Sequence, residues 1–544
     1  MKGCIMPKDS EIQIVNTDFL VIGSGIAGLS AALETSRKGK KPLVLSKSHL
    51  GKASNTYLAG GLFSAAFEGY GAEKHIEKTI ASGKGMNNRA LVNTFVNEAR
   101  KMIQELNELG MNGIFQPSGF ATRGSSLVGG PHIVSALLKA CRKGGVGFVE
   151  DVIITDLVVQ DRTCLGAVGF KKRTGDLYGF RAGAVLLATG GAGAIYARHD
   201  NAPGMTGDGY GLALEAGLEL IDMEFVQFYS MVYARSGKAR MIIPPSFADA
   251  GRLLNRTGED LKSKYGLQKK PLALVYRDRL AQALFREIGQ GNDVDGALLL
   301  DMTKAEDERI PLEESLRRKF KKILGYDLRP ILITPASHHT MGGIPIDRSG
   351  RTAIGNLFGA GEVVGGVHGA NRMGGNALSE ALVFGALSAR SAIEDMESKP
   401  TVDSFIRQAK RCVERNLLAR WRKGARVAST SSLMERLKQT LWQNAGIVRS
   451  APSLDNALHT VDEVLLELEK ERAGRPQELL RIIECRNAAL SARSIIAAAI
   501  AREETRGAHY REDFPDEREE WLKTIHVGLI QGRPEVVRIV PVPM

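Results

Sequence analysis

The sequence predicts an α/β protein: a parallel-sheet domain split into two segments, an α+β capping domain inserted between them, and a helical domain after the second. Three observations carry that prediction. An apolar strand turns on glycines straight into a helix at Phe19-Leu-Val-Ile-Gly-Ser-Gly-Ile-Ala-Gly-Leu29. Further apolar strands run into glycines at Ala184–Gly191 and Asn356–Glu362. Between about Asp222 and Pro335 this rhythm breaks down and prolines and charges increase, before glycine signals resume from Gly342 to Gly385. The segments that follow are 1–222 and 336–394 for the split domain, 223–335 for the inserted one, 395–512 for the helical one and 513–544 for a tail.

The first turn reads as a dinucleotide site. Gly23 allows the tight turn, Gly25 lets a pyrophosphate approach the backbone, and Gly28 lets the helix pack against the strand; Ser24 and Ala27 complete the spacing. The N–H groups of the first helical turn, at the positive end of the helix dipole, suit the phosphates. A second strand at Pro42–Leu45 ends in Ser46 and Lys47, not in the acid that holds a ribose in generic NAD sites. FAD is therefore the better match. The polar-to-glycine loop Ser54-Asn-Thr-Tyr-Leu-Ala-Gly-Gly61 begins no regular element. Its Ser54, Asn55, Thr56, Gly60 and Gly61 suit the close passage of a flat ligand.

Residues 72–111 carry a helical stripe of Leu91, Phe95, Ala99 and Met102. A β-rich stretch follows over Gly147–Val159 and Cys164–Phe170, with a hairpin turn at Thr174-Gly-Asp176. The strand Ala184–Ala188 then delivers Thr189 and Gly190 back to the cofactor. Asp208, at the start of the next helix, serves either as a cap or as a partner for a cofactor hydroxyl. Leu465, Leu468, Leu479, Leu480 and Ile483 mark the helical domain, and Val527–Met544 is a short apolar, proline-bearing end that covers a surface or docks a partner.

Composition narrows the class. A chain of 544 residues with 43% hydrophobic and 25% charged residues is long enough for several domains and is globular in character. No apolar run approaches the roughly 18 residues of a membrane span, and the start lacks a secretory apolar core. The five cysteines are scattered with no CxxC, which argues against a metal site or a cluster held by this chain and for a reducing cytoplasm. The net charge of +12 is dispersed and no nucleic-acid motif accompanies it, so nucleic acid is not an expected partner.

Taken in order, residues 19–29, 46–61, 185–193, 206–211, 222–228, 338–344 and 356–378, with Arg506-Gly-Ala-His-Tyr-Arg-Glu-Asp-Phe-Pro515, resemble the fumarate reductase/succinate dehydrogenase flavoprotein family, which has L-aspartate oxidase and the adenylylsulfate reductase flavoprotein among its relatives. The resemblance covers nearly the whole chain and implies a split Rossmann-like FAD-binding domain with an inserted cap. It implies FAD contacts at Asp208, Glu362, Ala377 and Leu378, and it accounts for Ser46-Lys47, which this family carries in place of the acid. It also implies an exchange of hydride between flavin N5 and a dicarboxylate or related unsaturated acid. Such chemistry needs cations for the carboxylates and a positioned proton donor. By position, Arg372 resembles the carboxylate-binding arginine, His338 the second carboxylate ligand, and Arg277 the arginine that shuttles the proton; His339 ranks below His338.

Three departures qualify the resemblance. Asn55 stands where membrane-bound members have the histidine that attaches FAD, which implies non-covalent FAD and argues against efficient succinate oxidation. Tyr229-Ser-Met-Val232 replaces an expected His-Pro-Thr-Gly, so Tyr229 contributes a phenol where an imidazole is expected at the substrate. A stretch containing Ile243-Pro-Pro245 replaces a Thr-Glu pair. One carboxylate end of the site is thus preserved and the other rebuilt. The expected partners are a small carboxylate and an iron–sulfur electron-transfer subunit, with any membrane contact made through that partner at the inner face. L-aspartate oxidase and a flavin-bearing electron-transfer subunit of a larger complex are the alternatives.

Overall fold

Gly23 sits at φ +121° where the strand Gln13–Ile22 passes into the helix Ile26–Arg37, and a Cβ there would lie 2.1 Å from the Ala188 carbonyl oxygen. A Cβ on Gly28 would lie 2.1 Å from the Gly23 carbonyl oxygen. Both positions are glycine because backbone meets backbone. Around this turn the computed structural model builds a seven-stranded sheet; it describes residues 11–122, 129–235, 238–243, 245–303, 330–396, 400–422 and 430–543. Cys4 and Pro244 lie outside the described residues.

The sheet runs in the order 147–149, 42–45, 13–22, 177–187, 163–171, 152–160, with Leu357–Gly359 pairing in parallel with the strand Leu177–Leu187. Parallel register places Ile22 beside Leu45 on one side and Leu187 on the other. The three ends therefore deliver Gly23, Ser46 and Ala188-Thr189 to one edge, as expected where a parallel sheet binds a ligand beyond its carboxyl ends. The helix Asn376–Asp395 lies along Ile26–Arg37 so closely that a Cβ on Gly385 would meet the Ala27 carbonyl at 2.3 Å.

The expected helix over 72–111 is two helices, Ala72–Ser82 and Arg89–Leu106, followed by a wider turn to Met111. Lys84 (φ +56°) and Gly85 (φ +76°) break it, and the break is tied to a distant glycine loop by Asn88 N–H to Gly366 O and Ala370 N–H to Gly83 O. In the tail, residues 527–541 belong to an antiparallel hairpin of Lys523–Ile530 and Arg533–Pro541, turned at Gln531 and Gly532, both at positive φ; Met544 lies outside the described residues. The expected turn at 174–176 joins Thr163–Lys171 to Leu177–Leu187, with Gly175 at φ +83°.

Two compact units result. The first holds Met1–Ile195, Asn201–Val226 and His339–Met544; the second holds Tyr196–Asp200 and Gln227–His338. In the second, a five-stranded sheet runs 238–242, 226–235, 331–340, 298–301, 252–254, beside the helix Arg277–Gly289, with Leu253, Leu280, Leu284, Leu298, Leu300 and Ile333 buried.

In the first unit the 506–515 motif closes an ionic core. Arg502, fully buried, pairs with Glu224 (2.6 Å) and Glu504 (3.1 Å) and stacks over Phe225 at 4.8 Å. Arg506 binds Glu504 at 2.7 Å, and Arg511 binds Asp513 at 2.8 Å. Burial, with Arg449 and Arg502 adding to it, holds His509 well below the ordinary imidazole range. As a neutral ring its Nδ1 accepts from Arg449 Nη1 at 2.7 Å. Arg502→Ala strands the buried Glu224 without its cation, while Glu504 keeps Arg506, so a loss of about 3–5 kcal/mol is expected in denaturant unfolding; an unchanged midpoint would show the pair to be dispensable.

Candidate functional site: a flavin edge and two sets of basic side chains

In the first unit, the predicted cofactor residues gather at the sheet's carboxyl edge. A Cβ on Gly25 would meet nothing closer than Thr56 Oγ1 at 3.4 Å, so the helix start presents open backbone where Gly23 and Gly28 do not. The N-cap of that helix, Gly25, offers no side chain, and the Ile26 N–H donates to Thr56 Oγ1 at 3.0 Å. The Ser24 hydroxyl donates to Ser46 Oγ (3.1 Å) and accepts from Gly51 N–H (3.0 Å). The loop expected to begin no regular element does begin one, because Ser54 caps the short helix Asn55–Leu58 through Tyr57 N–H at 3.2 Å. Gly60 and Gly61 are shaped by the chain itself: a Cβ on Gly61 would lie 2.3 Å from Thr122 Oγ1, and one on Gly129 would lie 2.6 Å from the Gly60 carbonyl oxygen.

Lys47 and Asp208 meet each other. Lys47 Nζ lies 2.6 Å from Asp208 and 3.0 Å from Glu484, and Asn487 donates to Asp208 at 3.3 Å. Burial works against the Lys47 charge, but the Asp208 and Glu484 carboxylates outweigh it and hold the ammonium above the ordinary lysine range. Asp208 gives its helix no side-chain cap; its role in the polypeptide is this ion pair, which sequence spacing did not suggest. Lys47→Ala leaves two carboxylates facing each other, and a loss of about 2 kcal/mol is expected in thermal or urea unfolding. A midpoint equal to wild type would remove the pair from the stability of this edge.

Asn55 donates to Asn201 Oδ1 (2.6 Å) and Glu362 Oε2 (3.0 Å) and accepts from Ala202 N–H (2.9 Å). Glu362 also accepts from Thr340 N–H at 3.1 Å and lies 3.7 Å from His339 Nδ1. Gly191 exists for this carboxylate, because a Cβ there would come within 2.3 Å of Glu362 Oε1. Gly190, at φ +78°, faces Met205. Ala377 and Leu378 lie in the first turn of Asn376–Asp395, whose N-cap, Gly375, offers no side chain. Asn376 anchors that turn to His75 (3.0 Å) and Thr79 (3.0 Å).

Two buried oxygens here lack a hydrogen-bond partner among the described residues, Thr189 Oγ1 and Glu380 Oε1. Burial, with Glu362 nearby, pushes the Glu380 carboxyl up to about 8. Two helix starts whose N-cap residues are glycines, a bare Gly25 backbone and unsatisfied buried oxygens at one sheet edge fit a flavin dinucleotide. Thr189 was predicted from its strand end; no local signal marked Glu380.

Arg372 lies in the loop just before that helix, 7% exposed, with Nη1 donating to the Met373 carbonyl at 3.2 Å. Burial and the Arg372 guanidinium together push His368 down to about 3, so His368 is neutral. It packs edge-on against His339 at 5.3 Å. Successive strand residues face opposite ways, which gives His339 to Glu362 and leaves His338 to the second unit.

There, His338 Nδ1 lies 2.8 Å from Asp200 Oδ2, and its ring stands 5.6 Å from that of Tyr229. The Tyr229 hydroxyl donates to the Ile243 carbonyl at 3.1 Å. A phenol has one proton, so here Tyr229 presents acceptor lone pairs to any further partner. Burial pushes this phenol far above its ordinary range, with Arg277 opposing and Asp200 reinforcing. Arg277, half-buried, opens the helix Arg277–Gly289. Glu287 on that helix is bound by Lys264 (2.8 Å), Tyr265 (2.7 Å) and Asn255 (3.1 Å). Asp200, twenty-nine positions before Tyr229 in sequence, carries no motif of its own.

Residues 18–378 match the FAD binding domain family, and residues 434–539 match the fumarate reductase flavoprotein C-terminal family. The chain belongs to the fumarate reductase/succinate dehydrogenase flavoprotein family. It is 35% identical over 544 residues to a subunit of the fumarate reductase (CoM/CoB) of Methanothermobacter marburgensis, across 95% of this chain and 97% of that one. L-aspartate oxidase of Pseudomonas aeruginosa is 29% identical, across 95% and 98%. A mutant of E. coli quinol fumarate reductase FrdA superposes with a TM-score of 0.87 at 26% identity, covering 98% of each chain. This family member is a FAD-dependent oxidoreductase with the FAD-binding and C-terminal helical domains expected of it. No helix among the described residues is long and apolar enough to cross a membrane.

Proposed function

We propose that this flavoprotein reduces the carbon–carbon double bond of a fumarate-type dicarboxylate with non-covalently held FAD, taking electrons from a separate iron–sulfur subunit. FAD, when bound, supplies the two-electron hydride exchange; the chain's own residues bind, orient and protonate. Arg372 is assigned to one substrate carboxylate, for which a guanidinium fork is suited. His338 is assigned to a carboxylate and Arg277 to delivery of the proton. Asn55, bonded to Asn201, Ala202 and Glu362, takes the place of an attachment residue with a structural amide. Gly25, Thr189, Glu362, Ala377 and Leu378 are assigned to FAD.

The observation that carries this reading is the buried Arg372 beside a histidine held neutral, on the unit that bears the flavin edge. The likeness across 95% of the chain to a protein named as one subunit of a fumarate reductase supports both substrate class and partner. The absence of CxxC and the scattered cysteines support a partner that holds the clusters. A cytoplasmic protein, peripheral at the membrane only through that partner, follows from the same reading. L-aspartate oxidase is the second reading, favoured by the relatives of that name and disfavoured by Tyr229-Ser-Met in place of His-Pro-Thr.

Acid precipitation of the yellow protein should release free FAD, and reduced viologen should be oxidised on adding fumarate. Aspartate-dependent oxygen consumption without fumarate turnover would transfer the assignment to aspartate oxidation.

A further inference from the structure

The segment Arg198–Asp200 runs beside the strand Ile331–Thr340 and is tied to it at three points. Ser337 N–H donates to the Arg198 carbonyl (2.9 Å), Asp200 N–H donates to the Ser337 carbonyl (3.2 Å), and Arg198 Nη1 donates to Thr334 Oγ1 (2.6 Å). These bonds hold the backbone that carries Asp200. Its side chain is 5% exposed and reaches His338 Nδ1 at 2.8 Å, while the His338 side chain is 24% exposed. Tyr229 packs on the ring with its own proton committed to Ile243. All of these residues belong to the second unit.

A buried carboxylate at this distance accepts the Nδ1 proton, which selects one tautomer and sets the plane of the ring. Nε2, on the far side of the ring from Nδ1, then faces away from Asp200. We infer that Asp200 is the positioning residue for His338, fixing its tautomer and orientation so that Nε2 meets a substrate carboxylate. The carboxylate half of this inference rests on the role proposed above for His338; the pairing of Asp200 with Nδ1 does not.

Both halves can be read from the ring. The full-length, FAD-loaded protein is labelled with 15N-histidine, and the His338 signals are assigned by their loss in His338→Gln, feasible with 10 histidines. The wild type is expected to show a protonated Nδ1 with a strongly downfield proton, and Asp200→Asn is expected to lose that resonance. Succinate, used as a probe that needs no turnover, should shift His338 Nε2 in the wild type and not in Asp200→Asn at the same concentration. In fumarate kinetics Asp200→Asn should raise KM about tenfold and change kcat less than about threefold, as expected on losing a hydrogen bond to a charged group.

A wild-type ring protonated only at Nε2 would overturn the inference, as would an Asn variant with the wild-type spectrum or a wild-type Nε2 indifferent to succinate. The wild-type spectra decide even if the variant fails to fold. Absence of fumarate turnover alongside the expected Nδ1 and succinate signals would remove the proposed reaction and support the role of Asp200.

Discussion

Arg372→Ala is expected to lower kcat/KM for fumarate by about a thousandfold or more, the scale of removing a buried charged partner, while the protein remains yellow. The reason lies in what surrounds the guanidinium. Arg372 is 7% exposed, so a carboxylate bound there is largely withdrawn from competing water. His368 is no substitute, because burial and Arg372 itself hold it neutral, and a neutral imidazole cannot balance a carboxylate charge. Arg372→Lys keeps a positive charge but loses the two-pronged donor, and should fall between wild type and alanine. Flavin absorbance per protein separates a substrate defect from a cofactor defect, since Arg372 is not among the residues assigned to FAD. Full activity in the alanine variant with intact flavin would end the dicarboxylate reading of this side chain.

Gly25→Val should yield a folded but colourless protein, with FAD affinity reduced at least about a hundredfold by a side chain standing where the pyrophosphate approaches. The backbone at Gly25 is extended (φ −75°, ψ −175°), a conformation open to any residue. The nearest atom to an added Cβ is Thr56 Oγ1 at 3.4 Å, so the apo fold tolerates it. The same change at Gly23 or Gly28 drives Cβ to 2.1 Å from a backbone oxygen and should disrupt the fold itself. Three glycines of one motif therefore separate by experiment into two that pack the chain and one that admits the ligand. Near-native melting of the apo variant with no bound FAD is the expected pair of results. A wild-type flavin spectrum in Gly25→Val would refute the placement.

Much of the fold was legible because its signals are local. Strand-glycine-helix at 19–29 and the strand ends at Thr189 and Glu362 each lie within about a dozen residues, and each is found at the carboxyl edge of one sheet. Where reading failed, the deciding contact was remote. The helical stripe over 72–111 runs unbroken in sequence, yet the chain turns aside at Gly83–Gly85, where Gly83 pairs with Ala370 and Asn88 with Gly366. The C-terminal end showed only apolar character; its strand pairing is set by the Gln531-Gly532 turn and by Leu220–Ile221 some 300 positions away.

The site divides in the same way. From sequence came the expected site residues: glycines suited to a pyrophosphate, an amide at Asn55, and Arg372, His338 and Arg277, to which the family resemblance gives carboxylates and a proton. Only the tertiary structure decided their states. It paired Lys47 with Asp208 and Glu484, turned the Tyr229 proton to Ile243, held His368 neutral beside Arg372, and brought Asp200 to His338. A motif records which atoms a short stretch can offer, because covalent neighbours fix its shape. Protonation, tautomer and charge depend on burial and on partners separated by tens to hundreds of residues, which no spacing rule contains.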